Sequence, residues 1–318
     1  MPLPPSQETY SGKVNEVTLG GGTRKKTLTV GGAKTVPYGG DRAATGRRPI
    51  LAIDVLDAPP EDWPPVLADA WRDVLADPAA WARKAVSEVG ADLICVKFDG
   101  IHPDKGNRDA DHAVAVTQKV LAAVDVPLIL WGCGNDEKDN AVMPKVSQAA
   151  KGEKVLLASA TQDNYKGLTA IAMADGHFLV VQAPLDINIA KQVNILVSDM
   201  GFPLDRLVMF QTTGSLGYGM EYAYSIQERE RLAALGGDKL MALPVICDVG
   251  YESWRAKEAK VATADAPAWG DAARRGPLWE ATTAVCLLQS GVDIVRMRNP
   301  AAVATVKAYI DSLWGAAK

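Results

Sequence analysis

Short apolar runs alternate with helical stretches along most of this chain, and this alternation restricts the possible folds more than any other feature. Eight runs are rich in Val, Ile and Leu and end in polar or small residues; they lie at 48–57, 91–100, 127–135, 154–161, 178–184, 207–212, 243–251 and 291–299. Near-continuous apolar runs, without polar alternation, are typical of strands that are buried on both faces. We therefore expect a parallel sheet that is covered by helices.

The segments between these runs have a helical pattern. Residues 111–124, 186–201 and 274–291 carry apolar residues at three- and four-residue spacing, and Asp186 stands where a helix N-cap is expected. Strict alternation of eight strands with about eight helices predicts an α/β fold, a closed (β/α)₈ TIM barrel. A doubly wound sheet is the alternative, but it normally has fewer strands and a glycine-rich turn after the first one.

The N-terminal part has a different pattern. Within residues 13–40, "KVNEVTLGGGTRKKTLTVGG" alternates polar and apolar residues on both sides of a triple glycine, which predicts a β-hairpin. Because it precedes the first barrel strand, we expect it to cover the bottom of the barrel. The predicted organisation is an N-terminal extension with a β-hairpin at 1–47 and a TIM barrel at 48–318.

Composition excludes several classes of function. The formal net charge is −4, so nothing supports binding to nucleic acid or to an anionic membrane surface. The apolar runs are far shorter than the ~20 residues that span a bilayer, and no signal peptide is visible at the N-terminus. We expect a cytoplasmic protein without a membrane segment.

The cysteines and histidines do not predict a metal site in this chain. Its four cysteines, at 95, 133, 247 and 286, lie far apart and form no C-x₂-C pair, whereas zinc and iron–sulfur ligands are usually closely spaced. The three histidines have no metal-ligand spacing either. Buried, reduced thiols are the simplest interpretation, and any metal in this protein's chemistry must be supplied by something other than this chain.

In a TIM barrel, functional groups project from the carboxyl ends of the strands. Lys97 and Asp99 share one such end, where a desolvated lysine beside a carboxylate could form a Schiff base, although we favour a structural ion pair. No histidine stands at a strand end. Arg296 and Arg298 are expected to be surface or phosphate contacts, and Asp186 is explained as an N-cap, which leaves Asn188 unexplained.

One glycine-rich loop follows the sixth barrel strand. "QTTGSLGYGM" at 211–220 contains Gly214, Gly217 and Gly219 around Tyr218, a weak phosphate-loop signal and a better one for a broad, flat object approaching the backbone. A long insertion at 251–276 supports a wide surface near this loop. Its aromatic and arginine residues are typical either of a protein interface or of ordinary loop packing: Tyr251, Trp254, Arg255, Trp269 and Arg274.

These motifs resemble a known family. "QAPLDINIAKQVNILVSDMGFPLDRLVMFQTTGSLGYGMEYAYSIQERERLAALGGDKLMALPVICDVGYESWRAKEA", "VPLILWGCGNDEKDN" and "ATQDNYKGLTAIAMA" are similar to the small subunit of the corrinoid/iron–sulfur protein. The same subunit is called the delta subunit of the acetyl-CoA decarbonylase/synthase complex. The resemblance covers about residues 13 to 315.

The resemblance implies a TIM barrel that pairs with a large subunit, which alone carries a 4Fe–4S cluster and also holds cobalamin against the mouth of this barrel. The pair would carry a methyl group from methyltetrahydrofolate, delivered by a methyltransferase, to acetyl-CoA synthase/carbon monoxide dehydrogenase. A corrin ring suits neutral hydrogen-bonding groups and bare backbone. By position, the expected cofactor-binding residues are Asn135, Gln182, Asn188, Gln211, Thr212, Thr213, Gly214, Gly217, Tyr218 and Gly219.

Two hypotheses follow. In the first, which we favour, the chain is a non-catalytic partner of a methyl-transfer complex that caps and shields the cobalamin. In the second, the barrel is itself a pterin-binding methyltransferase, and carboxylate and amide groups such as Asp99, Asn135 and Asp186 converge on one pocket.

Overall fold

The computed structural model describes residues 9–37 and 45–315. Eight parallel strands close into a barrel in the order β10-β3-β4-β5-β6-β7-β8-β9, and two further strands form a separate antiparallel pair. The strands are β1 (Glu16–Leu19), β2 (Leu28–Gly31), β3 (Ile50–Leu56), β4 (Leu93–Lys97), β5 (Leu128–Trp131), β6 (Leu156–Ala160), β7 (Phe178–Ala183), β8 (Leu207–Gln211), β9 (Val245–Cys247) and β10 (Ile294–Met297).

Helices connect the strands. They are α1 (Pro65–Ala68), α2 (Pro78–Lys84), α3 (Ala110–Ala123), α4 (Asp136–Ala149), α5 (Tyr165–Asp175), α6 (Ile187–Asp199), α7 (Met220–Leu235), α8 (Val249–Ser253), α9 (Lys257–Lys260), α10 (Ala272–Ser290) and α11 (Pro300–Trp314). Each of the eight predicted strands is present and somewhat shorter than its apolar run, because the polar residues at the run's end already belong to the following loop.

The closure confirms the predicted TIM barrel and excludes the doubly wound sheet. β10 pairs with β3 on one side and with β9 on the other, so the last strand joins the first. Every residue of β3 is buried, as its continuous apolar sequence predicts for a strand between the barrel interior and a helix layer. This closure brings the strands' C-terminal ends together around one opening, which we call the mouth.

The N-terminal hairpin covers the opposite end of the barrel, as predicted. β1 and β2 pair in antiparallel register from Glu16↔Gly31 to Leu19↔Leu28. Val17, Leu19 and Val30 are buried in one cluster with the lower interior side chains of the barrel strands. Residues 38–40 of the segment assigned to this region lie outside the described residues, and the domain boundary at 47/48 stays a prediction.

The insertion after β9 folds into short helical pieces. α8 and α9 are followed by a 3₁₀ turn at Pro267–Trp269 and then by α10. For Trp254 the sequence left a protein interface and ordinary loop packing open; it is buried against Leu67, Ala256 and Ala259, so loop packing is the correct interpretation for this residue. Trp269 remains 44% exposed.

Within the described part of the chain, no helix is both long enough and apolar enough to cross a membrane.

Candidate functional site: the barrel mouth

The mouth divides into two contiguous parts. We call the ends of β9, β10, β3 and β4 the charged half, defined by Asp54, Lys97, Asp99, Asp248, Arg296 and Arg298. We call the side formed by β5 to β8 the neutral half, after the uncharged side chains that define it: Asn135, Gln182, Asn188, Thr212 and Tyr218, from the ends of β5, β7 and β8.

The charged half is a buried ion network. Asp54 bridges two guanidinium groups: Arg296 Nη2 lies 2.9 Å from its Oδ1, and Arg298 Nε lies 3.0 Å from its Oδ2. Arg296 Nη1 is also 3.1 Å from Asp248 Oδ2. Burial alone would lower the pKa of Arg296, but Asp248 and Asp54 raise it above its ordinary value. Four side chains of alternating charge therefore stabilise each other without solvent.

This network corrects the expectation that Arg296 and Arg298 are surface or phosphate contacts. Both are buried, because strand closure sets them beside the carboxylates of β3 and of the residue after β9. Aromatic rings complete their surroundings. The Arg296 guanidinium lies 4.0 Å from the centroid of the Trp131 ring, and that of Arg298 lies 5.3 Å from Trp63 and 5.2 Å from Tyr251.

Lys97 and Asp99 form the structural ion pair that we favoured over a Schiff-base site. Lys97 Nζ lies 3.6 Å from Asp99 Oδ1 and donates to the Gly132 carbonyl. Asp99 also contacts Lys105 at 2.8 Å. Burial opposes ionisation of Asp99, but the two lysines outweigh burial and lower its pKa. An amine held by a carbonyl and a carboxylate is poorly disposed to act as a nucleophile.

The neutral half offers amide and hydroxyl groups. Asn135 caps α4, since its Oδ1 accepts from Lys138 N at 2.9 Å. The Ser159 hydroxyl donates to Gln182 Oε1, and Thr212 is exposed at the end of β8. Asn188 is exposed in the first turn of α6. These groups come from neighbouring loops on one side of the mouth.

Asp186 caps α6, as the sequence predicted. Its Oδ1 accepts from Asn188 N at 2.7 Å and from Ile189 N at 3.2 Å. The carboxylate is therefore engaged by the backbone.

The glycines of loop 211–220 are explained by the loop itself. A Cβ on Gly214 would lie 2.3 Å from the carbonyl oxygen of Gly219, so the close approach at this position comes from the chain's own backbone. Gly217 and Gly219 have φ of +74° and +89°, which side-chain-bearing residues rarely adopt. Tyr218 between them is 52% exposed, and its hydroxyl donates to Glu258 at 2.9 Å.

Two expected site residues lie beneath this loop instead of on its surface. Gln211 is buried and donates to Glu230 Oε1 at 2.6 Å, and the Thr213 hydroxyl accepts from Asp248 N at 2.9 Å. The ten expected residues thus fall into three groups. Asn188, Thr212, Gly217 and Tyr218 are exposed; Asn135, Gln182 and Gly219 are half-buried; Gln211, Thr213 and Gly214 are buried.

An apolar groove adjoins the neutral half. It has a volume of about 350 Å³ and is lined by Leu216, Trp269, Arg274, Leu278 and Trp279, among others. Leu278 is 52% exposed beside the exposed Trp269. We call it the mouth-side groove. A second cavity, of about 490 Å³, opens on the charged half beside Asp62, Asp99 and Lys105.

Two buried carboxyl groups, Glu280 and Glu230, were not predicted from the sequence. Glu280 in α10 accepts from Trp254 Nε1 and Arg298 N, both at 2.6 Å, and burial raises its pKa to about 7. Glu230 in α7 is equally buried. Helical periodicity is the signal that could have found both, because each glutamate lies on the buried face of its helix. In α10, Glu280 lies four residues after Gly276 and four before Ala284, and all three are buried.

No cluster of three or more potential metal ligands occurs among residues 9–37 and 45–315. Cys95 and Cys247 are buried free thiols, and burial raises the pKa of Cys247 to about 12. His177 lies 3.0 Å from the Ser147 carbonyl, and His112 lies 3.1 Å from Asp57. Each of these two imidazoles therefore has a structural partner.

A family model described as "CO dehydrogenase/acetyl-CoA synthase delta subunit" matches residues 16–266. The chain belongs to this family. The acetyl-CoA decarbonylase/synthase complex subunit delta of Archaeoglobus fulgidus is 38% identical over 98% of this chain and 71% of its own length. The corresponding subunit of Methanocaldococcus jannaschii is 34% identical over 95% of this chain and 75% of its own. As a delta subunit, the chain has partner subunits.

Solved structures add support for the fold. A dihydropteroate synthase from Thermus thermophilus superimposes with a TM-score of 0.57 at 16% identity, covering 94% of this chain and 99% of that one. A dihydropteroate synthase from Coxiella burnetii, in complex with pteroic acid, gives a TM-score of 0.58 at 12% identity over the same shares. At such identities the likeness establishes the barrel and nothing finer.

Proposed function

We propose that this delta subunit is the small, non-catalytic subunit of a corrinoid/iron–sulfur methyl carrier. The neutral half of its mouth caps the cobalamin that the large subunit holds, while a methyl group passes from methyltetrahydrofolate to acetyl-CoA synthase. Its partners are the large subunit, which carries the 4Fe–4S cluster, the methyltetrahydrofolate methyltransferase and acetyl-CoA synthase/carbon monoxide dehydrogenase. When bound, the corrinoid supplies the cobalt that carries the methyl group.

The observation that carries this proposal is the division of the mouth. The central charges, Asp54, Asp248, Arg296 and Arg298, are buried in mutual pairs, whereas the side chains that define the neutral half are amides and hydroxyls beside the exposed backbone of Gly217. A corrin has a broad apolar face with peripheral amides, so it needs neutral hydrogen-bonding partners rather than ions.

The exposed members of the expected set fit such a ring. The Thr212 hydroxyl donates to the Ala183 carbonyl at 3.4 Å and can accept from a peripheral amide. The exposed Asn188 amide can both donate and accept, and Gly217 presents backbone without a side chain. Gln211 and Thr213 act from beneath, by holding the loop. This chain's contribution is then to bind and orient the ring's edge and to keep water away from its face.

The mouth-side groove supports contact with the large subunit. Trp269 and Leu278 are exposed beside the glycine loop, and Arg274 stands at the groove's edge. Aromatic and arginine side chains are enriched at protein interfaces, where they anchor the partner.

The alternative, a barrel that binds a pterin and transfers methyl groups alone, has less support. Its three candidate residues are all engaged: Asp99 by Lys97 and Lys105, and Asn135 and Asp186 as helix caps. The dihydropteroate synthases share the fold, but their likeness does not extend to these side chains.

Titration of the purified chain, alone and with the large subunit, against cobalamin and methyltetrahydrofolate tests the proposal. We expect the isolated chain to bind neither cobalamin nor methyltetrahydrofolate. When it is added to the large subunit, it should slow the loss of cobalamin from that subunit. If the chain alone bound the folate and methylated free cobalamin, it would be an enzyme and the capping role would be wrong.

A further inference from the structure

A polar seam lies between α7 and the strand that leads into the glycine loop. Glu230 projects from α7 and is fully buried, and Gln211, the last residue of β8, is 1% exposed. Gln211 Nε2 donates to Glu230 Oε1 at 2.6 Å. A carboxyl group in the interface between a helix and a barrel strand is unusual, because this layer is normally apolar.

The second atom of each group has no partner. Gln211 Oε1 and Glu230 Oε2 are both buried and make no hydrogen bond within the described residues. Leaving two acceptors buried and unsatisfied is costly. A carboxylate cannot resolve this, because it has no hydrogen to donate; a carboxylic acid can, since its O–H donates to an amide oxygen.

The two side chains are complementary in shape. A planar primary amide and a planar carboxylic acid can form a ring of two hydrogen bonds, N–H to carbonyl oxygen in one direction and O–H to carbonyl oxygen in the other. The bond already present at 2.6 Å is one side of such a ring. A single proton on Glu230 Oε2 would satisfy both orphaned atoms.

The surroundings favour the neutral form. No lysine or arginine of the described residues is within ion-pair distance of Glu230; Arg231, next to it on α7, turns to Asp293 at 3.6 Å and to the Gly291 carbonyl. From β9, the nearby Cys247 thiol is neutral because burial raises its pKa to about 12, and Asp248 is paired with Arg296.

The residue of α10 that faces this seam is the uncharged Ser290, whose hydroxyl donates to Gln227 Oε1 at 2.5 Å. Burial raises the pKa of Glu230 to about 8, and the hydrogen bond from Gln211 offsets only part of this.

We propose that Glu230 is a neutral carboxylic acid that forms a two-bond acid–amide ring with Gln211 and thereby positions the glycine loop. Gln211 immediately precedes the loop and α7 begins directly after it, so the ring joins the two elements that flank residues 212–219. The existence of the ring does not depend on the proposed function. Only the role of the positioned loop in capping a cofactor rests on that function.

The ring makes the loop sensitive to alkaline pH. The pKa of Glu230 is raised in the folded chain from 4.5 to about 8, so its stabilising effect is complete below the unfolded value and is lost as pH rises through about 8. Ionisation removes the O–H donor and leaves two acceptor oxygens facing each other, which opens the link between β8 and α7.

Infrared spectroscopy of the full chain tests the protonation state directly. We expect the difference spectrum between wild type and Glu230→Gln to contain the C=O stretching band of a buried carboxylic acid at near-neutral pH, and this band should titrate away near pH 8. Glu228→Gln is the matched control, because Glu228 is exposed on the same helix, and it should keep the band. If wild type and Glu230→Gln give the same carboxylic-acid spectrum, Glu230 is ionised and the proposal is wrong.

Hydrogen exchange of the loop amides, corrected for intrinsic rates, tests the positioning role. Wild type should lose protection at 212–219 above about pH 8, whereas Glu230→Gln, which cannot ionise, should not. If Glu230→Gln folds poorly, the exchanged pair Gln211→Glu with Glu230→Gln restores an acid–amide ring and should restore both the band and the protection. A loop whose protection is the same at every pH in wild type and variants would overturn the positioning role. Neither readout involves cobalamin, so failure here is distinct from failure of the proposed function.

Discussion

The two halves of the barrel mouth use the same position in the fold in opposite ways. In the charged half, Asp54, Arg296 and Arg298 are buried and pair with one another over 2.9–3.0 Å. In the neutral half, Thr212, Asn188 and Tyr218 are exposed and offer hydroxyl and amide groups. TIM-barrel enzymes place acids and bases at strand ends for chemistry, but here the central charges hold the last strand against the first.

The difference teaches that residue type at a strand end does not by itself indicate catalysis. A buried network in which every charge has an ion-pair partner is a structural element, and breaking it leaves an uncompensated charge. An exposed neutral group costs little to place and is available to a ligand. Stability should therefore depend on the charged half, and binding on the neutral half.

The largest loss of stability is expected for Asp54→Asn. Removing the carboxylate that bridges Arg296 and Arg298 leaves Arg298 buried without its ion-pair partner and Arg296 with Asp248 alone, at a cost of about 3–5 kcal/mol. Urea unfolding followed by circular dichroism measures it. Asp69→Asn is the control: it removes the exposed ion pair with Arg72 and should cost less than about 1 kcal/mol. Equal effects of the two variants would show that the buried network is not a structural element.

A pH dependence comes next. Burial raises the pKa of Glu280 from 4.5 to about 7, so its contribution is complete below the unfolded value and disappears as pH rises through about 7. Over this range the free energy of unfolding should fall by about 3 kcal/mol. Chemical unfolding at several pH values measures this, with Trp254 emission as a local probe, because its indole donates to Glu280.

Glu280→Gln should be less stable than wild type but should lose the part of the pH slope that lies between about pH 4.5 and 7, whereas Glu88→Gln, at an exposed position, should keep it. An unchanged slope in Glu280→Gln would contradict the assignment.

Gly214→Ala should have a smaller but clear effect. The new Cβ would meet Gly219 O at 2.3 Å, so the loop must shift, at about 1–3 kcal/mol. Gly167→Ala, inside α5 and with its nearest neighbour at 3.5 Å, should be neutral or stabilising. Thermal unfolding of both variants measures this. Should Gly214→Ala unfold like wild type, the loop's glycine would have another explanation, such as an approaching ligand.

Trp269→Ser should leave stability within about 0.5 kcal/mol but weaken association with the large subunit roughly tenfold, because the ring is exposed beside the mouth-side groove. Leu232→Ser is the control, since Leu232 is 41% exposed on α7. Calorimetric titration of the large subunit with each variant measures the affinity. A loss of affinity in the control alone would place the interface elsewhere.

Much of the fold could be predicted from local sequence. Continuous apolar runs identified the barrel strands, alternation around three glycines identified the hairpin, and Asp186 identified the start of α6, because each signal lies within a few residues. The pairing of Arg296 with Asp54 could not be predicted in this way. These residues are 242 positions apart and meet only because β10 closes on β3 in one register.

The candidate site was harder to predict for the same reason. Position after β8 was enough to expect Thr212 at the mouth, but Gln211 and Thr213 turn inward, toward Glu230 and the Asp248 backbone. Which way a side chain turns at a strand end depends on the helix packed behind it. The contact of Gly214 with Gly219 is likewise a property of the folded loop.

The most direct test of the division of the mouth is the rate at which cobalamin leaves the reconstituted complex of this chain with its large subunit. We predict that Asn188→Ala with Thr212→Val raises the rate about tenfold or more, as the loss of two neutral hydrogen bonds should, without changing stability. Glu61→Gln with Arg108→Gln, at the cavity of the charged half, should leave the rate unchanged. Faster loss from the charged-half variant and none from the neutral-half variant would contradict the account.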